Sequence, residues 1–489
     1  MQGSAAHHIP EQQLLLQSLE DLPIHLVGIK GTGMAALAEV LSARGARVTG
    51  SDTNERFYTD AVLRKLSIPF HEGFTEANLD PGLQLVIHSA AYSRTENPEL
   101  VAAEHLAVPI ITYPEALGML SGLSDSSGIS GVHGKSTTTA LCGAILKAWG
   151  FPATVLVGAE VPAFGGRSAL TLGDRYLVAE TCEYRRHFLH FHPERIVMTS
   201  VEPDHLDYFH DLEDIQSAFE AYGRSLPFRG TLIHCADDPG ARATAERILR
   251  RRDDLHSIPY GRTAEGDFKV QGILEGAGST RFSLSCFPVP FTLHIPGEHS
   301  VLNAAAAIAL CVQLWQRERG EERIDLAAMS QAISSFTGCR RRSEIVGEAR
   351  GILIMDDYAH HPTAVEKTLA GIKRFHPGRR LIVDFMSHTY SRTRALLPEF
   401  AACFGSADVV ILHRIYASAR EKNEGGISGR DLFNAVSRNH PRVHYFEEPR
   451  DALPYLEGSL GRGDLLITMG AGDNWKLGRE LLGALGGGS

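Results

Sequence analysis

The chain has 489 residues, 43% hydrophobic and 22% charged, with a formal net charge of −10 and a pI near 6.1. This length predicts about three domains at roughly 150 residues each, and the ordinary apolar share excludes a disordered chain. The acidic balance excludes a nucleic-acid partner; no apolar run approaches the ~18 residues of a membrane span; and seven scattered cysteines without a C-x-x-C pair read as reduced thiols of a cytoplasmic protein.

Residues 1–22 are polar, acidic at their end and unlike a signal peptide, so they read as a loose tail, as does the terminal Gly-Gly-Gly-Ser. Residues 23–112 form the first block. Strand-like runs at Ile24–Gly28, Arg47–Gly50 and Leu85–His88 alternate with helical patterns at Met34–Arg44 and Thr59–Leu66. That alternation predicts a parallel sheet covered by helices. Gly28-Ile-Lys-Gly31-Thr32-Gly33 lies between the first strand and helix. Its glycines follow G-x-x-G-x-G, which differs from the dinucleotide G-x-G-x-x-G. A nucleotide diphosphate at that helix N-terminus is the expected ligand, with Asp52 facing a ribose. The bland alternative is a tight turn that binds nothing.

Residues 113–338 form the second block, which opens on Ser130-Gly131-Val-His133-Gly134-Lys135-Ser136-Thr137-Thr-Thr. Small residues up to Gly134 let backbone N–H groups close on phosphate oxygens. Lys135 adds a cation for the β/γ-phosphates and Ser136 a hydroxyl for Mg²⁺. The strict nucleotide-loop pattern wants a glycine where Ile129 stands. The apolar run Ala140–Trp149 reads as a helix aimed at the same phosphates. Glu180 ends an apolar strand, where a carboxylate needs a cation, and His205 follows another strand in Glu202-Pro-Asp-His-Leu-Asp207. Two adjacent parallel strands would bring Glu180 and His205 to an Mg²⁺ or Mn²⁺ beside Ser136. The alternative has His205 and Asp207 capping a turn. Phe268–Leu293 reads as an antiparallel excursion, and Pro296-Gly-Glu-His299-Ser300-Val-Leu-Asn303 precedes an alanine-rich helix.

Residues 339–489 form the third block. Ile352–Asp356, Leu381–Phe385, Val409–His413 and Leu465–Met469 read as strands, with a helix at Val365–Arg374. Ligands in such sheets bind beyond the carboxyl ends of the strands. There stand Asp356-Asp357-Tyr358-Ala-His360-His361-Pro and His388-Thr-Tyr-Ser-Arg392.

Taken together and in order, these motifs resemble the Mur ligases over nearly the whole chain after residue 22. V-G-I-K-G-T-G-M resembles that family's V-G-I-G-G-x-G-M, and S-G-V-H-G-K-S-T-T-T its G-T-H-G-K-T-T-T. E-P-D-H-L-D, P-G-E-H-S-V-L-N, R-R-S-E at Arg341–Glu344, D-D-Y-A-H-H-P and S-H-T-Y-S-R-T each have a counterpart. Lys30, Val132, Ser300 and Ser343 depart from the pattern, and Glu180-Thr-Cys-Glu183-Tyr-Arg-Arg stands where the family often has E-A-D-E-S-D-A. Family members that add later peptide residues use a carbamylated lysine. No lysine occurs here between Lys147 and Lys269, which fits the branch that adds L-alanine and the related tripeptide-recycling branch.

The resemblance implies an α/β protein of three domains: an N-terminal Rossmann-like UDP-binding domain, a central ATPase-type domain with the phosphate loop, and a C-terminal Rossmann-like domain. It implies ATP with two Mg²⁺ ions, and an acyl phosphate on the lactyl carboxylate of UDP-N-acetylmuramate that the amine of L-alanine attacks. By the same resemblance Lys135, Glu180, His205, Arg342 and His360 would be catalytic. Gly131, His133, Gly134, Lys135, Ser136, Thr137, His299, Asn303 and Asp357 would hold the nucleotide, with Ser136, Glu180 and His205 as metal ligands. Gly31, Thr32, Gly33, Asp52, Tyr358, His388 and Arg392 would bind substrate, and Arg342 would pair with the amino acid's carboxylate.

Overall fold

The computed structural model describes residues 19–205, 208–417 and 426–486. Asp207 and residues 1–18 and 487–489 therefore lie outside the described residues. Leu19 and Leu22, read from sequence as the end of a tail, are 6% and 7% exposed and belong to the apolar core of the first sheet.

Three sheets follow one another along the chain. The first is parallel, in the order Phe70–Glu72, Arg47–Asp52, Pro23–Val27, Leu85–His88, Ile110–Thr112. Its central strands Pro23–Val27 and Leu85–His88 are short apolar runs buried on both faces, as in a sheet covered by helices, whereas the edge strand Phe70–Glu72 is largely exposed. Helix Thr32–Ala43 is buried from Met34 through Leu41, more than two turns and so on all its sides. Thr112 and Glu115 form a capping box that starts helix Tyr113–Ser121, the link into the second sheet.

The second sheet has ten strands. Its parallel centre runs Thr231–Cys235, Arg195–Met198, Asp125–Ser130, Tyr176–Glu180, Ala153–Val161. Asp125–Ser130 thus lies between the strands that carry Glu180 and lead to His205, which are not neighbours as the sequence suggested. The expected antiparallel excursion is present as Phe268–Gly276, Ser279–Leu284 and Phe291–Leu293. Helix Glu298–Arg319 is buried along most of its length. Its alanines allow close approach to helix Lys135–Ala148, where Cys142 Sγ lies 3.8 Å from the Ala307 carbonyl oxygen.

The third sheet runs Glu344–Ala349, Ile352–Asp357, Asp464–Met469, Arg380–Phe385, Val409–Leu412, Val443–Tyr445, all parallel except the first. The carboxyl ends of the second and third sheets face a common cleft of about 990 Å³.

Candidate active site

Strand Asp125–Ser130 turns through Gly131–Gly134 into helix Lys135–Ala148. Gly131 and Gly134 take φ of +134° and +83°. A Cβ there would lie 2.1 Å from Thr199 Oγ1 and 2.3 Å from Asn303 Oδ1. Only glycine fits such a cradle. Gly131 makes the turn, so Ile129 can remain a buried strand residue and the missing glycine is immaterial. The loop is braced from the next strand: Val132 N donates to Ser200 O (3.1 Å) and His133 N to Ser200 Oγ (2.9 Å). The helix N-terminus behind it presents unpaired N–H groups, a ready anion site.

Lys135 Nζ donates to Glu183 at 2.9 and 3.2 Å and to the Gly131 carbonyl. Burial alone would pull this ammonium down, but Glu183, with Cys182 and Glu180, holds it above its ordinary pKa. Ser136 Oγ donates to Glu180 Oε2 at 2.8 Å, and the same oxygen accepts from Gly158 N at 2.9 Å. His205 Nε2 lies 3.6 Å from Glu183 Oε1. His205 therefore joins the cluster through Glu183, a residue to which sequence reading gave no role. One hydroxyl, two carboxylates and an imidazole against the single contacting ammonium of Lys135 suit a hard divalent cation such as Mg²⁺ or Mn²⁺.

Thr137, His299 and Asn303 line the cleft on the helix side. Burial pulls His299 down to about 4, so its ring is neutral. Ser300, a departure from the family, donates to Pro296 O at 2.7 Å and ties the start of its helix.

The opposite wall comes from the third sheet. Asp357 accepts from Ser343 N (2.6 Å), Ser343 Oγ (3.2 Å) and Ala359 N (2.7 Å), and burial pushes its carboxyl up. Expected at the nucleotide, it lines the cleft but also braces the loop carrying Arg342. The Arg342 guanidinium sits 5.2 Å from the Tyr358 ring centre, and among the described residues it forms no hydrogen bond to a carboxylate. His360 Nδ1 donates to Tyr358 O at 2.8 Å, leaving Nε2 with its lone pair. Burial, helped by Arg392, keeps this ring well below its ordinary pKa.

Two expected substrate residues have other partners. Arg392, 7% exposed, donates to Asp204 Oδ1 at 3.0 and 2.7 Å and to His388 O at 3.2 Å. It fastens the third sheet to the second, beside His388, and also lines the cleft. Asp52, 5% exposed, accepts from Lys30 N (2.7 Å), Thr53 N (2.8 Å) and Tyr92 OH (2.9 Å), so it braces its own loop and does not face outward toward a ribose. Lys30 is also internal: its ammonium donates to Thr53 O (2.9 Å) and Glu55 O (3.1 Å), with Glu72 and Asp60 nearby. It orders the segment after the second strand. Gly31, Thr32 and Gly33 do open the helix as expected, with a Cβ at Gly33 only 3.1 Å from Tyr113.

The sequence reading missed Glu202, Asp204 and Thr363. Thr363 Oγ1 donates to Glu202 Oε2 at 3.1 Å, across the two sheets. The signal was present in Glu202-Pro-Asp-His, where three ionisable residues share one short loop, but only His205 received a role.

Family models match in order: the Mur ligase family catalytic domain at residues 23–124, the Mur ligase middle domain at 129–311, and the Mur ligase glutamate ligase domain at 341–472. A UDP-N-acetylmuramate–L-alanine ligase of Treponema pallidum is 51% identical, covering 96% of this chain and 97% of its own. A protein of the same name from Desulfitobacterium hafniense is 39% identical over 94% of this chain and 99% of its own. Among solved structures, a UDP-N-acetylmuramate–alanine ligase from Thermotoga maritima superposes with a TM-score of 0.75 at 26% identity, covering 95% and 99% of the two chains. A murein peptide ligase from Psychrobacter arcticus, 24% identical, shares the fold with a TM-score of 0.67, covering 96% and 99%.

Proposed function

This chain belongs to the Mur ligase family, and we propose that it joins L-alanine to the lactyl carboxylate of UDP-N-acetylmuramate at the expense of ATP, in cytoplasmic peptidoglycan precursor synthesis. The observation that carries this reading is the Lys135–Glu183, Ser136–Glu180 and His205 cluster, which faces Arg342, Tyr358 and His360 across one cleft. Its relatives at 51% and 39% identity favour L-alanine over a recycled tripeptide as amine donor.

An amide forms from a carboxylate only after the carboxylate oxygen becomes a leaving group. Transfer of the γ-phosphoryl of ATP supplies one, as an acyl phosphate, and catalysis of that transfer is mostly positioning and charge neutralisation. The phosphate loop and Lys135 grip the β/γ-phosphates, with Glu183 holding the ammonium in place. Ser136, Glu180 and His205 would hold Mg²⁺, two ions in all, which when bound neutralises charge on the phosphates. His299 and Asn303 flank the base, and Gly31–Gly33 receive the uridine diphosphate. Arg342 fixes the carboxylate of the amino acid beside Tyr358. His360 Nε2, neutral and facing the same wall, takes a proton as the amine attacks and phosphate departs. The division is into domains 23–112, 113–338 and 339–489, with the third closing on the second.

Phosphate release measured with UDP-N-acetylmuramate against a panel of L-alanine, glycine, L-serine and the tripeptide tests the reading. Release should require both the nucleotide sugar and an amine, with L-alanine fastest. Faster turnover of the tripeptide would assign the recycling reaction instead.

A further inference from the structure

His133, Glu202 and His361 each place one ligand atom so that all lie within 4.8 Å of one another. None of the three belongs to the magnesium cluster around Ser136. His133 Nε2 and Glu202 Oε1 are 2.5 Å apart, yet that ring nitrogen is buried without an aligned hydrogen bond. His361 is 5% exposed, and its Nε2 donates to Pro203 O at 3.2 Å. That bond fixes the tautomer, so Nδ1 carries the lone pair. Nδ1 is buried, makes no hydrogen bond, and lies 4.0 Å from Glu202 Oε2. In this tautomer the Nδ1 lone pair is turned toward the Glu202 carboxylate, a contact that no hydrogen bond relieves. A shared cation would. A ring N–H bonded to a backbone carbonyl, with the other nitrogen turned inward, is also how metal-bound imidazoles are usually held.

We propose that His133, Glu202 and His361 form a second kind of metal site, taking one borderline divalent cation of the Zn²⁺ class. Two imidazoles and one carboxylate suit Zn²⁺ far better than Mg²⁺, and a tetrahedral ion would keep its fourth position for water. His133 stands in the phosphate loop, Glu202 follows strand Arg195–Met198, and His361 follows strand Ile352–Asp357. An ion there pins the third sheet to the phosphate loop. Zinc should therefore hold the cleft shut and slow turnover at the release step, while magnesium supports catalysis at its own cluster.

The test uses the full-length, tag-free protein, stripped with chelator and held in millimolar Mg²⁺ with ADP to occupy the magnesium cluster. Titration with Zn²⁺ against a chromophoric chelator should show one zinc per chain. His361→Asn and Glu202→Gln should each weaken that site at least tenfold, and Glu180→Gln should retain it. Melting curves without zinc identify any variant that has failed to fold, in which case the other one decides. Zinc-edge anomalous scattering from crystals should place the ion among the three side chains. No zinc bound under these conditions, unchanged binding in a folded His361→Asn or Glu202→Gln, or loss in Glu180→Gln alone would overturn the assignment.

Discussion

Asp204→Asn should cripple closure of the cleft and leave the fold intact. Arg392 and Asp204 are 188 positions apart, on the third and second sheets, with side chains only 8% and 6% exposed. Two guanidinium nitrogens converge on one carboxylate oxygen at 3.0 and 2.7 Å. Removing one partner of a buried pair typically costs about 3–5 kcal/mol, because the other charge is stranded. The asparagine oxygen can still accept one N–H, which points to the lower end, about 3 kcal/mol. Separation of the two sheets would rehydrate Arg392, so the cost should fall on the closed form and not on folding. At about 1.4 kcal/mol per decade, turnover should drop on the order of a hundredfold. Phosphate release at saturating substrates, read beside small-angle scattering with nucleotide and UDP-N-acetylmuramate, gives both quantities. Asp204→Asn with Arg392→Met removes the stranded charge and should recover part of the loss, giving a coupling energy of at least about 1 kcal/mol in the double-mutant cycle. Turnover within twofold of the parent with unchanged scattering, or strictly additive single effects, would refute the reasoning. Burial opposes ionisation of Asp204, but Arg392 prevails and holds its carboxyl well below the usual range. A depressed pKa means the stabilisation is present above the unfolded value of about 4 and is lost only as pH falls through the lowered one. The pair should therefore contribute nothing to any pH dependence between 5 and 9.

Lys135→Ala should lower turnover by hundreds of times, since a preorganised charge on the transferring phosphoryl is worth about 3–4 kcal/mol; retention of a tenth of the activity would show the loop has been misread. Arg342→Met should raise KM for L-alanine sharply and leave that for UDP-N-acetylmuramate nearly unchanged, and equal changes in both would remove Arg342 from the amino-acid site. His413 and Asp384, both 0% exposed and 2.7 Å apart, supply a test of stability. Burial would lower the His413 pKa, but Asp384 and the Phe446 carbonyl raise it overall. The stabilisation is full below the unfolded value of about 6.5 and is lost as pH rises through the raised one. Tm should fall over that alkaline window and His413→Gln should flatten the fall; parallel curves for the two proteins would count against it.

Motif chemistry and most strands were legible in the sequence because both are local. Apolar runs such as Leu85–His88 and Leu465–Met469 bury themselves on both faces wherever they fall in a sheet. Gly134-Lys135-Ser136 carries its own backbone geometry and charge. Strand order was not legible: nothing near Glu180 or Arg195 reveals that Asp125–Ser130 lies between their strands, because order depends on which helices cover which face. Buried charges were the least legible. Asp52 looks like a ribose contact beside a glycine loop, and Arg392 looks like a substrate contact. A charge taken out of water must find its counter-charge wherever packing brings one, and for Arg392 that partner stands in a loop of another sheet. The sequence thus determined which chemical groups the protein has; only the tertiary structure decided which of them remain available to a ligand and which are tied up in holding the cleft together.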